Sequence, residues 1–264
     1  MSGLLLRLAG PLQSWGERSA FTAVRDTAPF PTRSALTGMF AAAEGIGRDQ
    51  AIPDRYGDLR LTVRVDRPGV RLVDYHTAGG GFPKDRTAAT SGGSNKGAAV
   101  ITNRHYLADA VFVVAVTAPD ETLERLAGAL CRPHWAPYLG RRACVPDEPF
   151  LLRRHVTDPE EELRTSVPLS RTAPRTHDGN SQETDTIAVE FLTEQPPPTG
   201  ETEEHLPVDV IDVNDVPVNF APHGRSHTGR RLHRTQVPVP RSLAGPPHTL
   251  MQRLIDYAHL EDSA

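Results

Sequence analysis

The block from Leu4 to Arg48 constrains the fold of this chain more than any other. It opens on the apolar run Leu4-Leu5-Leu6, which predicts a buried strand over residues 3–9. A polar loop follows over residues 10–30, with Arg25 and Asp26 near its end. The run Pro31-Thr32-Arg33-Ser34 then opens a helix of small residues that stops at Gly45. Thr32 or Ser34 suits the cap of its first turn, Ala35, Leu36, Met39, Phe40 and Ala43 form its apolar face, and Gly45 suits its C-terminal position. Aromatic, glutamine, arginine and helix-start groups gather in this block, as they do where a protein grips a polyanion.

The rest of the chain continues the alternation. Leu61, Val63 and Val65 alternate with polar residues, a half-buried strand over residues 59–66. Arg67-Pro68-Gly69 is a turn signal, so residues 70–75 are expected to return beside that strand as a hairpin partner. Residues 78–99 are rich in Gly, Ser, Ala and Thr and carry no core pattern. They read as a protruding arm with Lys84, Arg86 and Lys96 along it, and basic arms of this kind order on nucleic acid. Two strands are expected at residues 100–106 and 110–116, the second apolar enough to be central. A helix from Asp120 to Leu130 presents Leu123, Leu126, Ala127 and Leu130 on one face, and a strand follows near Phe150–Leu152.

Strand, helix, two strands, arm, strand, helix, strand is the order of an α+β, ferredoxin-like βαββαβ sheet with an extra hairpin. RNA-binding versions of that sheet use its uncovered face. After His155 the pattern weakens. Residues 183–215 hold ten acidic residues and no Lys or Arg, together with Pro196-Pro197-Pro198, and part of this stretch reads as a flexible, solvated insertion. Residues 237–240 suggest a short edge strand, and residues 249–259 a terminal helix.

Charge is divided unevenly. Residues 1–154 carry 20 Lys+Arg against 15 Asp+Glu, whereas residues 155–264 carry 9 against 18. The basic N-terminal half is compatible with nucleic-acid binding. Both lysines of the chain, Lys84 and Lys96, fall in the glycine-rich arm. The two cysteines, Cys131 and Cys144, form no CxxC pair and read as reduced thiols rather than zinc ligands. No apolar run reaches bilayer length, and no leader pattern precedes Leu4, so the chain reads as cytoplasmic, with no membrane partner and no cofactor.

Four blocks occur in order: LLLRLAGPLQSWG with FPTRSALTGMFAAAEGIGR, then Asp74-Tyr75-His76-Thr77, then residues 104–112 (RHYLADAVF), then residues 138–144 (YLGRRAC). Together they closely resemble the CasD family, the type I-E CRISPR Cascade subunit that holds the 5′ end of the guide RNA. The resemblance covers the chain from Leu4 to about Leu152. It implies an RRM-like core over residues 1–154, an inserted thumb β-hairpin at about 76–104, and a smaller, loop-rich C-terminal β portion over 155–264. It further implies that the thumb lies across the guide where the crRNA 5′ handle meets the spacer. The implied partners are the handle, the Cascade backbone subunit, the Cascade large subunit, and target DNA near the PAM.

Residue chemistry agrees with that implication. Arg33, Arg141 and Arg142 suit bidentate phosphate contacts, and Arg33 is the strongest single candidate. Gln13 and Ser34 can bond base edges or phosphates. Trp15, Phe30 and Tyr138 offer flat faces, although Trp15 is as well suited to the core and Phe30 better suited to it. Backbone N–H groups at Thr32–Ala35 can face an oxyanion, and Gly140 permits close backbone approach. Arg25, His76, Lys84, Arg86, Lys96, Arg104 and Tyr106 complete the RNA-binding set. Arg25 and Asp26 can also bridge each other.

The rival reading is a metal-independent endoribonuclease acting on precursor RNA through His76, Lys96, His105 and Tyr106. A flexible arm is a poor mount for catalytic Lys96, so no catalytic residue is expected. A third reading is an architectural adaptor, which the basic arm disfavours. His223 and His227, with His233 nearby, form another candidate: on a helix His223 and His227 could share a metal, but Pro222, Gly224 and Gly229 oppose one. With Arg225, Arg230, Arg231 and Arg234 they fit better as a basic loop facing RNA or the acidic stretch of the same chain.

Overall fold

The structure, a computed structural model, describes residues 1–16, 22–50, 52–81, 83–86, 99–172, 185–196, 209–220 and 225–259. Its strands are β1 (Gly3–Ala9), β2 (Leu12–Gln13), β3 (Val24–Arg25), β4 (Arg60–Arg67), β5 (Val70–Ala78), β6 (Val100–Ala108), β7 (Val111–Thr117), β8 (Leu151–Val156), β9 (Thr186–Thr193), β10 (Asp209–Asn219) and β11 (Ser226–Pro240). Its helices are α1 (Arg33–Ala43), α2 (Ile52–Arg55), α3 (Asp120–Cys131), α4 (Pro159–Thr165) and α5 (Leu250–Ala258). The result is a mixed α/β fold dominated by antiparallel sheet.

A 7-stranded sheet runs in the order β10-β11-β9-β4-β7-β1-β8. β1 and β7 are buried along their whole length because the sheet has two covered faces. Leu4, Leu6 and Leu8 of β1 pack with Phe112, Val114 and Val116 beneath α1 and α3, through Leu36, Phe40, Leu123 and Leu126. Leu5, Val113 and Ala115 face the other way, onto Leu163 of α4 and Leu254 and Tyr257 of α5. This corrects the expectation of one uncovered face. The C-terminal helices bury it.

Arg64 shows how thoroughly that second face is sealed. It is fully buried. Its Nε and Nη2 donate to the two carboxylate oxygens of Asp66, at 2.7 and 3.2 Å. Nη1 donates to the carbonyls of Leu163 and Val167, and Nη2 also to that of Pro168. All five guanidinium N–H groups are thereby used, and β4 is tied to the end of α4.

The chain leaves β4 at Gly69 (φ +74°) and does not return beside it, contrary to the expected hairpin. Both edges of β4 are already taken, by β7 and β9. β5 instead pairs antiparallel with β6 over nine residue pairs, from Val70↔Ala108 to Ala78↔Val100. The other edge of β6 takes β2 and, in parallel, β3. This second sheet projects largely exposed strands. The arm residues 87–98, including Lys96, and the side chain of Lys84 lie outside the described residues.

The C-terminal half extends the main sheet rather than standing apart from it. β9 and β10 fall within the stretch expected to be in part a flexible insertion, and β11 is 15 residues long where a four-residue edge strand was expected. Charge pairing explains the strands. Arg231 meets Asp212, its partner in register, and Arg234 meets Glu190 at 2.7 Å. Arg230, Arg231 and Arg234 thus pair with acids of the same chain. Their segment is a strand, not a helix, so His227 and His233 do not take helical metal-ligand spacing.

The same pairing reaches the start of α1. Asp215 is buried, and its Oδ2 accepts the Arg33 backbone N–H at 2.6 Å. Both of its oxygens accept from Arg230. Glu194 accepts from the guanidiniums of Arg33 and Arg230 and from the Leu61 N–H. An own-chain carboxylate thus occupies the helix start, where its charge opposes the positive end of the helix dipole. Asp215→Asn is expected to lower the free energy of unfolding by about 2 kcal/mol through loss of its charge-assisted bonds. Urea denaturation with an unchanged m-value checks this, and a wild-type midpoint would contradict the assignment.

Candidate nucleic-acid interface

The second sheet brings together a basic face. Residues directly opposite on paired strands share a face. Asp74↔Arg104, Leu72↔Tyr106 and His76↔Thr102 therefore lie on one side of the β5–β6 hairpin, and Arg25 joins them through its parallel pairing with Arg104. Arg141 reaches the same side from the 138–144 loop. Its guanidinium lies 4.6 Å from the Tyr106 ring centroid, and its Nη2 donates to the Arg25 carbonyl at 3.1 Å.

Three guanidiniums are thus held in one place. Burial, then Arg104, then Arg141 push the Arg25 pKa down. Arg104 spends its Nε on Thr102 Oγ1 and Arg141 its Nη2 on a carbonyl, neither on a carboxylate. Arg141 Nη1 is buried without a hydrogen-bond partner. His76 Nδ1 lies 3.5 Å from Asp74 Oδ2. Such a face suits a polyanion, whose phosphates would relieve the mutual repulsion of the arginines.

Five candidates from the N-terminal block fall elsewhere, which corrects their expected RNA contacts. Gln13 is fully buried, and its Nε2 donates to the carbonyls of Leu8 and Ala110. Trp15 is fully buried and donates its Nε1 to Gln13 Oε1. Thr32, Arg33 and Ser34 are buried at the start of α1, where Asp215 takes the place foreseen for a phosphate. Neither Thr32 nor Ser34 caps the helix through its side chain. The Arg33 guanidinium is committed to Glu194 and to the carbonyls of Tyr56 and Gly57. Phe30 is core.

Other candidates remain reachable. Arg86 and Arg142 are exposed, Tyr138 is half-buried, and Tyr106 is nearly covered. Arg141 and Arg142 split inward and outward, as adjacent residues do. The close approach that Gly140 permits is to its own chain: a Cβ there would lie 1.7 Å from the Ser14 carbonyl oxygen.

Two arginines were not grouped with this region from sequence. Arg225 stacks on Phe220, 5.1 Å from the ring centroid. Burial and then Arg48 lower its pKa, while Tyr138 raises it, so Arg48 and Tyr138 both lie within electrostatic reach of Arg225. No spacing rule links residues 48, 138 and 225; only the fold does.

The groups of the ribonuclease reading are divided. His76 and Tyr106 share the basic face, whereas His105 pairs with Val73 on the opposite side, and Lys96 lies outside the described residues. Among the described residues no three His, Cys, Asp or Glu side chains converge as metal ligands, and no helix is long and apolar enough to cross a membrane.

Comparison with known proteins follows the same lines. The model of a CRISPR-associated protein family, Cas_Cas5, matches residues 3–232. The CRISPR system Cascade subunit CasD of Escherichia coli (strain K12) is 38% identical over 185 residues, which is 64% of this chain and 78% of that protein. A chain solved in a CRISPR RNA-guided surveillance complex superposes with a TM-score of 0.82 at 46% identity, covering 97% of this chain and 99% of that one. The crystal structure of a Cas protein gives a TM-score of 0.56 at 28% identity, covering 93% and 99%.

Proposed function

The chain belongs to the Cas5 family of CRISPR-associated proteins, and we propose that it is the noncatalytic subunit of a type I-E Cascade that binds and caps the 5′ handle of the crRNA. The observation that carries this reading is the crowding of Arg25, Arg104 and Arg141 on one face of the β5–β6 hairpin, with Arg141 stacked on Tyr106. Arginine forks hold phosphates, and the neighbouring aromatic faces suit unstacked bases. Arg86, Arg142, Lys84 and Lys96 are proposed as further RNA contacts.

The core is read as ferredoxin-like. The order β8-β1-β7-β4, with α1 following β1 and α3 following β7, supports this. The hairpin is read as the thumb that crosses the guide where handle meets spacer. Its other face carries exposed Val24, Val73, Tyr75 and Ile101, which suits contact with the adjoining backbone subunit. The likeness to E. coli CasD and to a chain of an RNA-guided surveillance complex supports placing it beside backbone and large subunits, near target DNA at the PAM. The division of His76 and His105 between two faces supports a binding role over cleavage.

The test is binding of the purified chain, alone and with the backbone subunit, to RNA bearing the native 5′ handle, with cleavage followed in EDTA. Salt-sensitive binding without cleavage is expected. Arg104→Glu should weaken it at least about tenfold, and the salt slope should fall by about 0.7 for each phosphate the variant no longer neutralises. Site-specific cleavage that disappears in His105→Ala would replace this reading with the processing enzyme. Handle affinity indifferent to Arg104→Glu and to salt would remove the basic face from the function.

A further inference from the structure

We propose a second nucleic-acid site on the helical side of the molecule, a groove between the ends of α1 and α3 that takes a single-stranded segment other than the handle. The groove encloses about 420 Å³ and is open to solvent. One wall is the last turns of α3, with Arg125, Gly128 and Ala129, and Arg132 just past the helix end. Arg125, Gly128 and Ala129 are positions i, i+3 and i+4 of one helix face, and Arg132 lines the groove beyond the helix end. A Cβ on Gly128 would meet nothing within 4 Å, so the small residues leave a trough rather than fill a contact.

The facing wall carries Arg55 and Glu44. Glu44 is almost wholly buried. Its Oε2 accepts from Arg55 Nε at 2.7 Å and from the Tyr56 hydroxyl at 2.6 Å, and its Oε1 lies 3.1 Å from Arg125 Nε as an ion pair without a hydrogen bond. Burial and the Glu44 contact raise the Tyr56 pKa, keeping the phenol protonated as a donor. Glu44 orients Arg55 through its Nε and neutralises one charge. Three arginines against one carboxylate leave the groove cationic.

An aromatic face stands beside it. The His134 ring lines the groove and meets Trp135 edge-on, 4.6 Å between centroids. Trp135 is 48% exposed, an unusual position for so large an apolar side chain. The backbone N–H groups of His134 and Trp135 bond the Ala43 and Ala42 carbonyls, fixing both rings against the end of α1.

Two properties select an extended strand over a compact anion. The negative ends of α1 and α3 meet here, and Glu44 lies among the arginines, so anionic groups are favoured at the arginine rim rather than at the floor of the groove. The rim offers guanidinium forks and a ring on which a base can stack, the combination that holds single strands without reading sequence.

The sequence contains two tryptophans, and Trp15 is fully buried, so stacking at the groove reports through Trp135. The full chain, first saturated with handle RNA, is titrated with the oligonucleotide dT15 while tryptophan emission is followed. Saturable, salt-sensitive quenching is expected. Trp135→Phe should abolish it, Arg132→Glu should weaken dT15 binding at least tenfold, and Arg104→Glu on the hairpin should leave it unchanged. Arg132 is an exposed residue at the end of α3, and its replacement tests charge without unfolding the chain. Absence of quenching, quenching indifferent to Arg132→Glu, or competition by further handle RNA would overturn the proposal. So would a polyglutamate peptide that quenches as strongly as dT15, which would assign the groove to an acidic protein.

Discussion

Arg64→Met is expected to lower the free energy of unfolding by about 3–5 kcal/mol, the cost of leaving a buried ion without its partner. Arg64 and Asp66 are both buried. Without the guanidinium, the Asp66 carboxylate keeps one donor, the Ser170 N–H at 2.8 Å. The carbonyls of Leu163, Val167 and Pro168 lose theirs. Methionine supplies comparable bulk, so the loss reports on polar groups rather than on a cavity. Replacing both partners by apolar residues removes the unpaired charge, and Arg64→Met/Asp66→Leu should therefore regain part of the loss. Because three carbonyls and the Ser170 N–H would still be unpartnered, recovery should stay incomplete. Urea unfolding of the two variants measures both effects. A single variant within about 0.5 kcal/mol of wild type would contradict the account, being the scale of an ordinary surface change.

The effect also locates a joint between the two halves of the chain. Arg64 lies on β4, whereas the carbonyls it binds belong to α4 and the residues just after it. Weakening that joint is expected to loosen α4 and α5 from the sheet before β1 and β7, whose side chains have apolar partners on both faces. Hydrogen exchange should therefore accelerate first in Pro159–Thr165 and Leu250–Ala258.

The parts of this fold that sequence announces are those whose periodicity has one reading. Residues 3–9, the helix from Arg33 and the apolar run before Asp120 are bound to the main core, and their patterns say so. The charged C-terminal strands carry the opposite signal. Asp215 looks like a solvated acid until Arg230 and the Arg33 N–H are placed against it, and that pairing is not legible from sequence. Arg33 misleads for the same reason. An arginine at a helix start reads as a phosphate contact, but Glu194, 161 residues away, takes its guanidinium. On the basic face, Arg104 and Arg141 were legible as cations. Their crowding with Arg25 was not, because it requires β3 to lie parallel to β6, a pairing of two residues with no pattern of its own.

Gly140→Ala is expected to damage both the fold and RNA binding, and to separate the two. Gly140 has φ +83°, a left-handed backbone that costs an L-residue about 1–2 kcal/mol. The added Cβ would also stand 1.7 Å from the Ser14 carbonyl oxygen. That oxygen belongs to backbone and cannot rotate aside as a side chain would, so the 138–144 loop must move. Its anchors are short: Ser14 N–H to the Leu139 carbonyl at 3.0 Å and Leu139 N–H to the Cys144 carbonyl at 2.7 Å. Arg141 is the next residue, and a displaced loop carries it off the Tyr106 ring and away from the Arg25 carbonyl. The variant should therefore lose at least about 2 kcal/mol of stability. At temperatures where it remains folded it should bind handle RNA about tenfold more weakly, as for loss of a charged hydrogen bond. Gly128→Ala is the matched control. Its Cβ meets nothing within 4 Å, and within a helix alanine gains about 1 kcal/mol over glycine, so stability should rise and handle binding should hold. A Gly140→Ala protein that unfolds no earlier than wild type would show that the loop yields without cost. One that loses stability but keeps full handle affinity would show that Arg141 needs no fixed seat, and the contact with RNA would then rest on Arg25 and Arg104 alone.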